Sequence, residues 1–476
     1  MMKHIKLPSL LVIVHLLLPF LGAQDKPNVL MIAIDDMNDW VGAMGNHPDI
    51  QTPNIDRLAA SGVLFNNAHC QFPVCGPSRT SVFSGYRPTT TNVLNNDGKV
   101  KDSAVWEMAE VLENKLMHEY LRDFGYKTMA VGKLMHNHIA IGSVDESGGR
   151  LKNPKKRSEH NYDNENTGTD WGVFPGADSE MADYRQADWA IARLGEKQEK
   201  PFLLMLGFQL PHVPWIVPQK WWDLYDSERV SLAPYKKDDR DDLPGPSIAT
   251  NILNFMPQTD ELLETNKLRQ ATHSYLASIS FIDHQVGRVL RALDSSIYKS
   301  NTIIILWSDH GYLIGEKGSF QKHSLWQRAT HVPLIISSPD MDKGLICTKP
   351  VELLDLYPTL VDLCGLPENP KNEGLSLKGL IGNPDSAWSK LAVTTYRKQE
   401  KHSVATGTAY DGRPSHSVFD ERFHYILYPD GNEEFYDLKA DPNEWTNQAS
   451  NPEFDDLKIR MNKALKNQLH PKAHTN

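Results

Sequence analysis

At 476 residues, with 40% hydrophobic and 23% charged residues, the chain has the balance of a globular protein with a large core, which excludes a disordered chain. Its formal net charge of -10 argues against a general nucleic-acid binder, although an anionic substrate remains compatible wherever cations converge on one pocket. Four cysteines (Cys70, Cys75, Cys347 and Cys364) make neither a disulfide framework nor a zinc centre, and Cys347 and Cys364 are the two that could pair.

In chain order, Lys3 and Lys6 precede an apolar run, Leu10 to Gly22, that Pro19 interrupts and small Ala23 follows. This predicts a secretory signal over residues 1–23, too short for a comfortable membrane span. No later stretch reaches transmembrane length, so the expectation is an exported protein, periplasmic or secreted, with an uncleaved anchor as the alternative. Export implies an oxidising compartment.

The runs Val29–Ile34, Thr128–Gly132, Phe202–Phe208, Thr302–Trp307 and Pro333–Ser337 are continuously apolar, the pattern of strands buried on both faces of a parallel sheet. Helical patterns lie between them. The clearest carries Tyr275, Ile279, Ile282, Val286, Val289, Leu290 and Leu293 on one stripe. Another starts near Asp355 as N-cap, with Pro358 in its first turn. Ser143–Gly172 and Asp226–Asn251 break the rhythm and are expected as surface insertions. Leu366–Ser389, rich in Pro, Gly, Asn and Ser, predicts a linker. Beyond it LAVTTYR, HSVFD and FHYILYP predict antiparallel strands, and Asp455–Leu469 a terminal helix. The expected fold is α/β: a doubly wound, mostly parallel sheet over residues 24–370, with a smaller α+β subdomain over 371–476.

Chemistry gathers just after the predicted strands, where open α/β sheets bind ligands. Asp35 and Asp36 follow the first strand, and adjacent carboxylates repel unless a cation sits between them. Hard oxygen ligands favour calcium or magnesium over zinc; a polar strand end fits the pair equally. Asp309, His310 and Gly311 follow Trp307 and offer the same metal a second segment, or a solvated loop. Lys133 and His136 follow Gly132: a lysine suits an anionic oxygen and a histidine moves a proton. His212 and Lys322 are weaker signals taken singly.

The stretch Cys75-Gly76-Pro77-Ser78-Arg79, with Thr80 and the downstream Ser84-Gly85, resembles the signature of the type I sulfatases. Asp35-Asp36, Gly-Lys-x-x-His, Ser-Asp-His-Gly and FYDLKADPNEWTN (Phe435 to Asn447) resemble the same family in the same order. His310 after Asp309, Gly315–Ser324 and Ala329–Ile335 resemble its iduronate-2-sulfatase branch; His138 departs from it, standing where the branch usually has glycine.

The resemblance implies an alkaline-phosphatase-like fold and a sulfuric ester hydrolase acting on sulfated carbohydrate. It favours 2-O-sulfated uronic acid of a glycosaminoglycan or algal glycan. It further implies that a formylglycine-generating or sulfatase-maturating enzyme oxidises Cys75 to formylglycine, whose hydrate attacks sulfur with one hydroxyl and releases sulfate through the other. One Ca²⁺ would be held by Asp35, Asp36, Asp309, His310 and the modified Cys75. Arg79 would hold the hydrate and its neighbours; Lys133, His212 and Lys322 would clamp sulfate oxygens, and contact with that oxygen face is the alternative to metal ligation for His310. His136 would take the proton during collapse, and Lys322 or His212 would protonate the leaving oxygen. Trp40 and Trp215 fit sugar stacking or core packing. Two rivals stand beside this reading. One is a phosphatase or phosphodiesterase of the same fold, which generally uses Thr or Ser and often two zinc ions. The other is a non-catalytic glycan-binding protein.

Overall fold

A computed structural model describes residues 26–96, 114–136, 138–139, 142–154, 161–162, 167–399 and 412–469; the predicted signal segment lies outside them. The apolar runs assemble into one sheet. Its strands are β1 (Asn28–Ile34), β2 (Val63–Phe65), β3 (Lys127–Gly132), β4 (Glu146–Gly149), β5 (Phe202–Gly207), β6 (Thr302–Ser308), β7 (Leu334–Ser337) and β8 (Leu345–Cys347). Their spatial order is β8-β2-β7-β6-β1-β5-β3-β4. All pairings are parallel except those of β7, which runs against β6 and β2. The parallel direction expected for this run is therefore corrected: a continuous apolar run reports burial on both faces, not direction.

The two faces carry separate cores. Leu30, Ile32 and Ile34 of β1 meet α3 (Ala182–Gly195) and α4 (Leu268–Asp294), where Tyr275, Ile279 and Ile282 form the predicted stripe. Val29, Met31 and Ala33 point the other way, toward α5 (Leu356–Leu363). This alternation is the strand period of two. Two further helices matter: α1 (Pro53–Ala59) and α2 (Cys75–Ser84). The carboxylate of Asp283 on α4 accepts the free N–H groups of Asn54 and Ile55 at 3.0 and 2.8 Å, so the long helix caps α1.

Register sets the site. Ile34 pairs with Ser308, Ala33 with Gly207, and Gly132 with Gly207, so β1, β3, β5 and β6 end level with one another. Whatever follows them emerges on one edge.

Some expectations needed correction. Ser143–Gly172 is not wholly a surface insertion: Glu146–Gly149 forms the edge strand β4, whose polar sequence suits partial exposure. Asp355 stands at the start of α5 but does not cap it. Its carboxylate turns instead to Leu375 N–H (2.8 Å), Glu352 N–H (3.0 Å) and Lys390. Within Leu366–Ser389, Lys378–Gly382 is a short helix, and Leu377, Leu380 and Ile381 are buried in the main core, so that stretch is not a bare linker. All four cysteines are free; Cys347 and Cys364 do not pair.

The C-terminal sheet is an antiparallel meander of β9 (Ala392–Tyr396), β10 (Ser415–Phe419), β11 (Phe423–Leu427) and β12 (Glu433–Asp437). Met461 and Leu465 of the helix α6 (Asp455–Leu469) pack on Val393, Val418, Tyr425 and Phe435. A buried ionic joint ties this sheet to the larger layer. Glu352 accepts both terminal nitrogens of Arg87 at 2.7 and 2.8 Å and the N–H of Val393 at 3.0 Å, with Lys390 Nζ at 2.5 Å. Burial alone would push the Glu352 carboxyl up, but Arg87 and Lys390 bring it down from 4.5 to about 2. A depressed acid contributes stability that is complete above the unfolded value and lost as pH falls through the folded one. Unfolding free energy is therefore expected to fall as pH drops from 4.5 toward 2, and less steeply in Glu352→Gln. Denaturant titrations across that range check it; identical slopes for the two proteins would contradict it.

Candidate active site

Cys75 opens α2, a helix buried at all ten residues. Pro77 in its first turn forfeits no needed N–H, and Gly85 (φ 73°) closes it in the left-handed region. Four residues on, one turn further along the same face, Arg79 reaches the strand ends. Its Nε donates to Asp309 Oδ2 at 2.6 Å, Nη1 to Leu134 O at 3.1 Å and to Lys133 O, and Nη2 to Ile34 O at 3.3 Å. One planar fork thus joins the ends of β1, β3 and β6, as a lysine point charge could not.

Around the Cys75 thiol stand Lys322 Nζ at 3.0 Å, His310 Nε2 at 3.3 Å and Asp36 Oδ1 at 3.7 Å. Lys322 also donates to Asp36 Oδ1 at 2.8 Å, and Lys133 pairs with Asp35. Burial, then the Asp35 charge, pushes the thiol up to about 12 despite both lysines. Burial would raise both carboxyls too. Instead Lys133, His212 and Arg79 hold Asp35 well below the usual range, and His212 and Lys322 bring Asp36 to about 2.

Asp36 has φ 62°, a strained setting for a residue with a side chain. It is over-determined: its N–H donates to Asp309 Oδ1 at 3.1 Å, and its carbonyl accepts the Tyr275 hydroxyl at 2.8 Å. The loop after β3 is equally constrained. Gly132 has φ 85°, and a Cβ there would lie 1.9 Å from Gly207 O. That glycine lets Lys133 and His136 turn back over the sheet edge.

The histidines divide by their partners. His310 Nδ1 faces Gly311 O at 2.9 Å and His212 Nδ1 faces Val213 O at 2.7 Å; a carbonyl requires a donor, so each Nε2 is left with its lone pair in the neutral ring. The His212 Nε2 lies 4.0 Å from Asp36 Oδ2, and its side chain is 29% exposed, at the open side of the cluster. His136 is held through its carbonyl by Arg150 Nη1 at 3.0 Å, and burial and Lys133 lower its ring to about 4.

A cation fits this donor set. Asp35 Oδ1 and Asp36 Oδ2 are buried and accept no hydrogen bond among the described residues. Two overlapping groups, Asp35/Asp36/Cys75/His212 and Asp35/Cys75/Asp309/His310, hold ligand atoms within 4.8 Å of one another. They share Asp35 and Cys75 and so describe one centre rather than two. Its carboxylate oxygens are hard ligands.

The model of the Sulfatase family matches residues 27–366, and that of N-sulphoglucosamine sulphohydrolase, C-terminal, matches residues 315–471. The chain belongs to the sulfatase family. It is a sulfuric ester hydrolase. A sulfatase of Formosa agariphila is 42% identical, covering 93% of this chain and 86% of its own. The iduronate 2-sulfatase of Homo sapiens is 32% identical over 73% of this chain and 70% of its own. In fold, the chain is similar to the phosphonate monoester hydrolase of Agrobacterium radiobacter, with a TM-score of 0.76 and 21% identity, covering 93% and 95% of the two chains.

All ten sequence-predicted residues of this sulfatase lie at or beside the cluster: Asp35, Asp36, Cys75, Arg79, Lys133, His136, His212, Asp309, His310 and Lys322. Sequence reading missed what holds them. Tyr275, from the N-terminal third of α4, bridges Asp36 O and Asn38 N–H; Ser308 Oγ accepts Met37 N–H at 3.0 Å; Asn96 Oδ1 accepts Gly76 N–H at 2.8 Å. Ser308 stands inside the Ser-Asp-His-Gly stretch but its contact with Met37 could not be read from it, and no motif marks Tyr275 or Asn96. Trp40 and Trp215 are 1% and 0% exposed, so neither has a face for a sugar, and both are core residues. His138, the departure from the branch pattern, bonds Gly132 O at 2.7 Å and Ser147 Oγ at 2.8 Å, strapping the Lys133–His136 loop to β4.

Proposed function

We propose that this sulfatase is exported and hydrolyses 2-O-sulfate on a uronic acid, or a related sugar, of a sulfated polysaccharide, using formylglycine made from Cys75. The observation that carries the reading is the convergence of Cys75 with three buried carboxylates and three cations on one sheet edge. The Cys75 sulfur stands where the formylglycine oxygens would be. Formylglycine supplies a carbon whose water adduct offers one hydroxyl to attack sulfur and a second to release it. Ca²⁺ held by Asp35, Asp36, Asp309, His310 and the modified residue supplies Lewis-acid charge.

The remaining roles belong to the chain. Arg79 orients the strand ends through its fork. Lys133, His212 and Lys322 neutralise sulfate oxygens, as positioned cations do for a transferring phosphoryl group. His136, neutral above about pH 4, accepts the proton that release requires. Lys322 and His212 are the two candidates for protonating the leaving oxygen. Because α2 is buried throughout, a maturating enzyme must reach Cys75 before the chain folds. Residues 24–370 are the catalytic unit and 371–476 the C-terminal subdomain, whose first helix packs Leu380 and Ile381 back onto the main core. No described helix is long and apolar enough to cross a membrane. The human relative's name, iduronate 2-sulfatase, supports the choice of sugar.

Matured protein is expected to release sulfate fastest from 2-O-sulfated uronate disaccharides within a panel differing in sulfate position. Equal or faster release from 6-O-sulfated hexosamines would reject that choice. Chelation is expected to remove activity and lower the thermal midpoint, with Ca²⁺ restoring both; a midpoint and rate untouched by exhaustive chelation would reject the metal.

A further inference from the structure

A concavity of about 540 Å³ lies where the parallel strands Trp171–Phe174 and Trp215–Pro218 end, and its lining includes Asn161, Phe174, Gln219, Trp222 and Gln270. None of its lining residues is ionisable, in a chain where 23% of residues are charged. The volume is that of a small-molecule site. Trp222 is half-buried and held in place: its ring meets His273 at 4.4 Å and 65°, and its carbonyl bonds His273 Nε2 at 2.9 Å.

The polar groups are only partly used. Gln219 spends its Nε2 on Asp223 Oδ1 at 2.7 Å, and Asn161 its Nδ2 on Trp171 O at 2.8 Å. Among the described residues their side-chain oxygens, the Gln270 amide and the Trp222 indole N–H make no hydrogen bond. An aromatic face offers the C–H side of a sugar ring an apolar platform, and amides supply both donors and acceptors to hydroxyls. A sulfate would find no cation in this lining.

We propose that this concavity is a second carbohydrate site that takes a neutral, unsulfated sugar ring. Gln219 lies seven positions after His212, at most about 25 Å of extended chain. A glycan seated at Trp222 is held by the segment that also carries His212, and the site raises affinity for polymer without touching the reacting group. This deepens the carbohydrate reading above and rests on it only for the choice of probe.

The test is affinity electrophoresis of the full chain through gels containing chemically desulfated dermatan or desulfated ulvan, using the matured enzyme and Cys75→Ala. Both are expected to be retarded equally. Trp222→Ala, and the exposed pair Gln219→Ala/Gln270→Ala, should bind about fivefold to tenfold more weakly. In those variants sulfate release from a disaccharide stays unchanged while KM for polymeric substrate rises. The exposed pair guards against a folding defect in Trp222→Ala. An unretarded parent protein, or both variants retarded like the parent, overturns the proposal. Retardation of Cys75→Ala requires no turnover, so failure of the formylglycine reading would leave this result standing, and the reverse.

Discussion

Cys75→Ala is expected to lower sulfate release by more than about 10³-fold while leaving the protein folded. Cys75 is the group around which Lys322, His310 and Asp36 are arranged, at 3.0, 3.3 and 3.7 Å. Its removal deletes the attacking position but orphans no charge, because Lys322 keeps its 2.8 Å bond to Asp36. Alanine is also a good residue for the first turn of α2, and the lost buried sulfur costs about 1 kcal/mol. Sulfate release and denaturant unfolding, measured on the same preparation, check both halves. Full activity in Cys75→Ala would remove this residue from the mechanism.

Arg79→Ala is expected to behave differently, losing activity together with about 3–5 kcal/mol of stability. Arg79 is wholly buried, and its fork is shared among Asp309, the carbonyls of Lys133 and Leu134, and Ile34 O. Truncation leaves a buried carboxylate short of its counter-charge and several carbonyls without a donor. Arg79→Lys keeps the charge but reaches fewer of these groups, so stability should recover only in part and activity little. A denaturation midpoint for Arg79→Ala equal to that of the parent would contradict this account of how the strand ends are held.

The contrast shows what could be read from the sequence. Charged residues that directly follow apolar runs, such as Asp35, Lys133 and Asp309, are legible because strand register brings them to one edge. The stripe from Tyr275 to Leu293 is legible because burial imposes its period. Direction is not: β7 is as apolar as its neighbours yet runs against them. Nor is β4, whose polar residues suit an edge. Asp355 shows a further limit, since its position predicts a cap while distant Lys390 and Leu375 decide what its carboxylate does. Tyr275 serves the stripe and the site at once, and only the folded arrangement reveals the second role.

The central claim is tested most directly by the mass of the peptide carrying residue 75, taken from active protein made in a host with a maturating enzyme. The account predicts a residue that has lost sulfur and two hydrogens and gained one oxygen. Full sulfate release from protein whose peptide retains the intact thiol would contradict it.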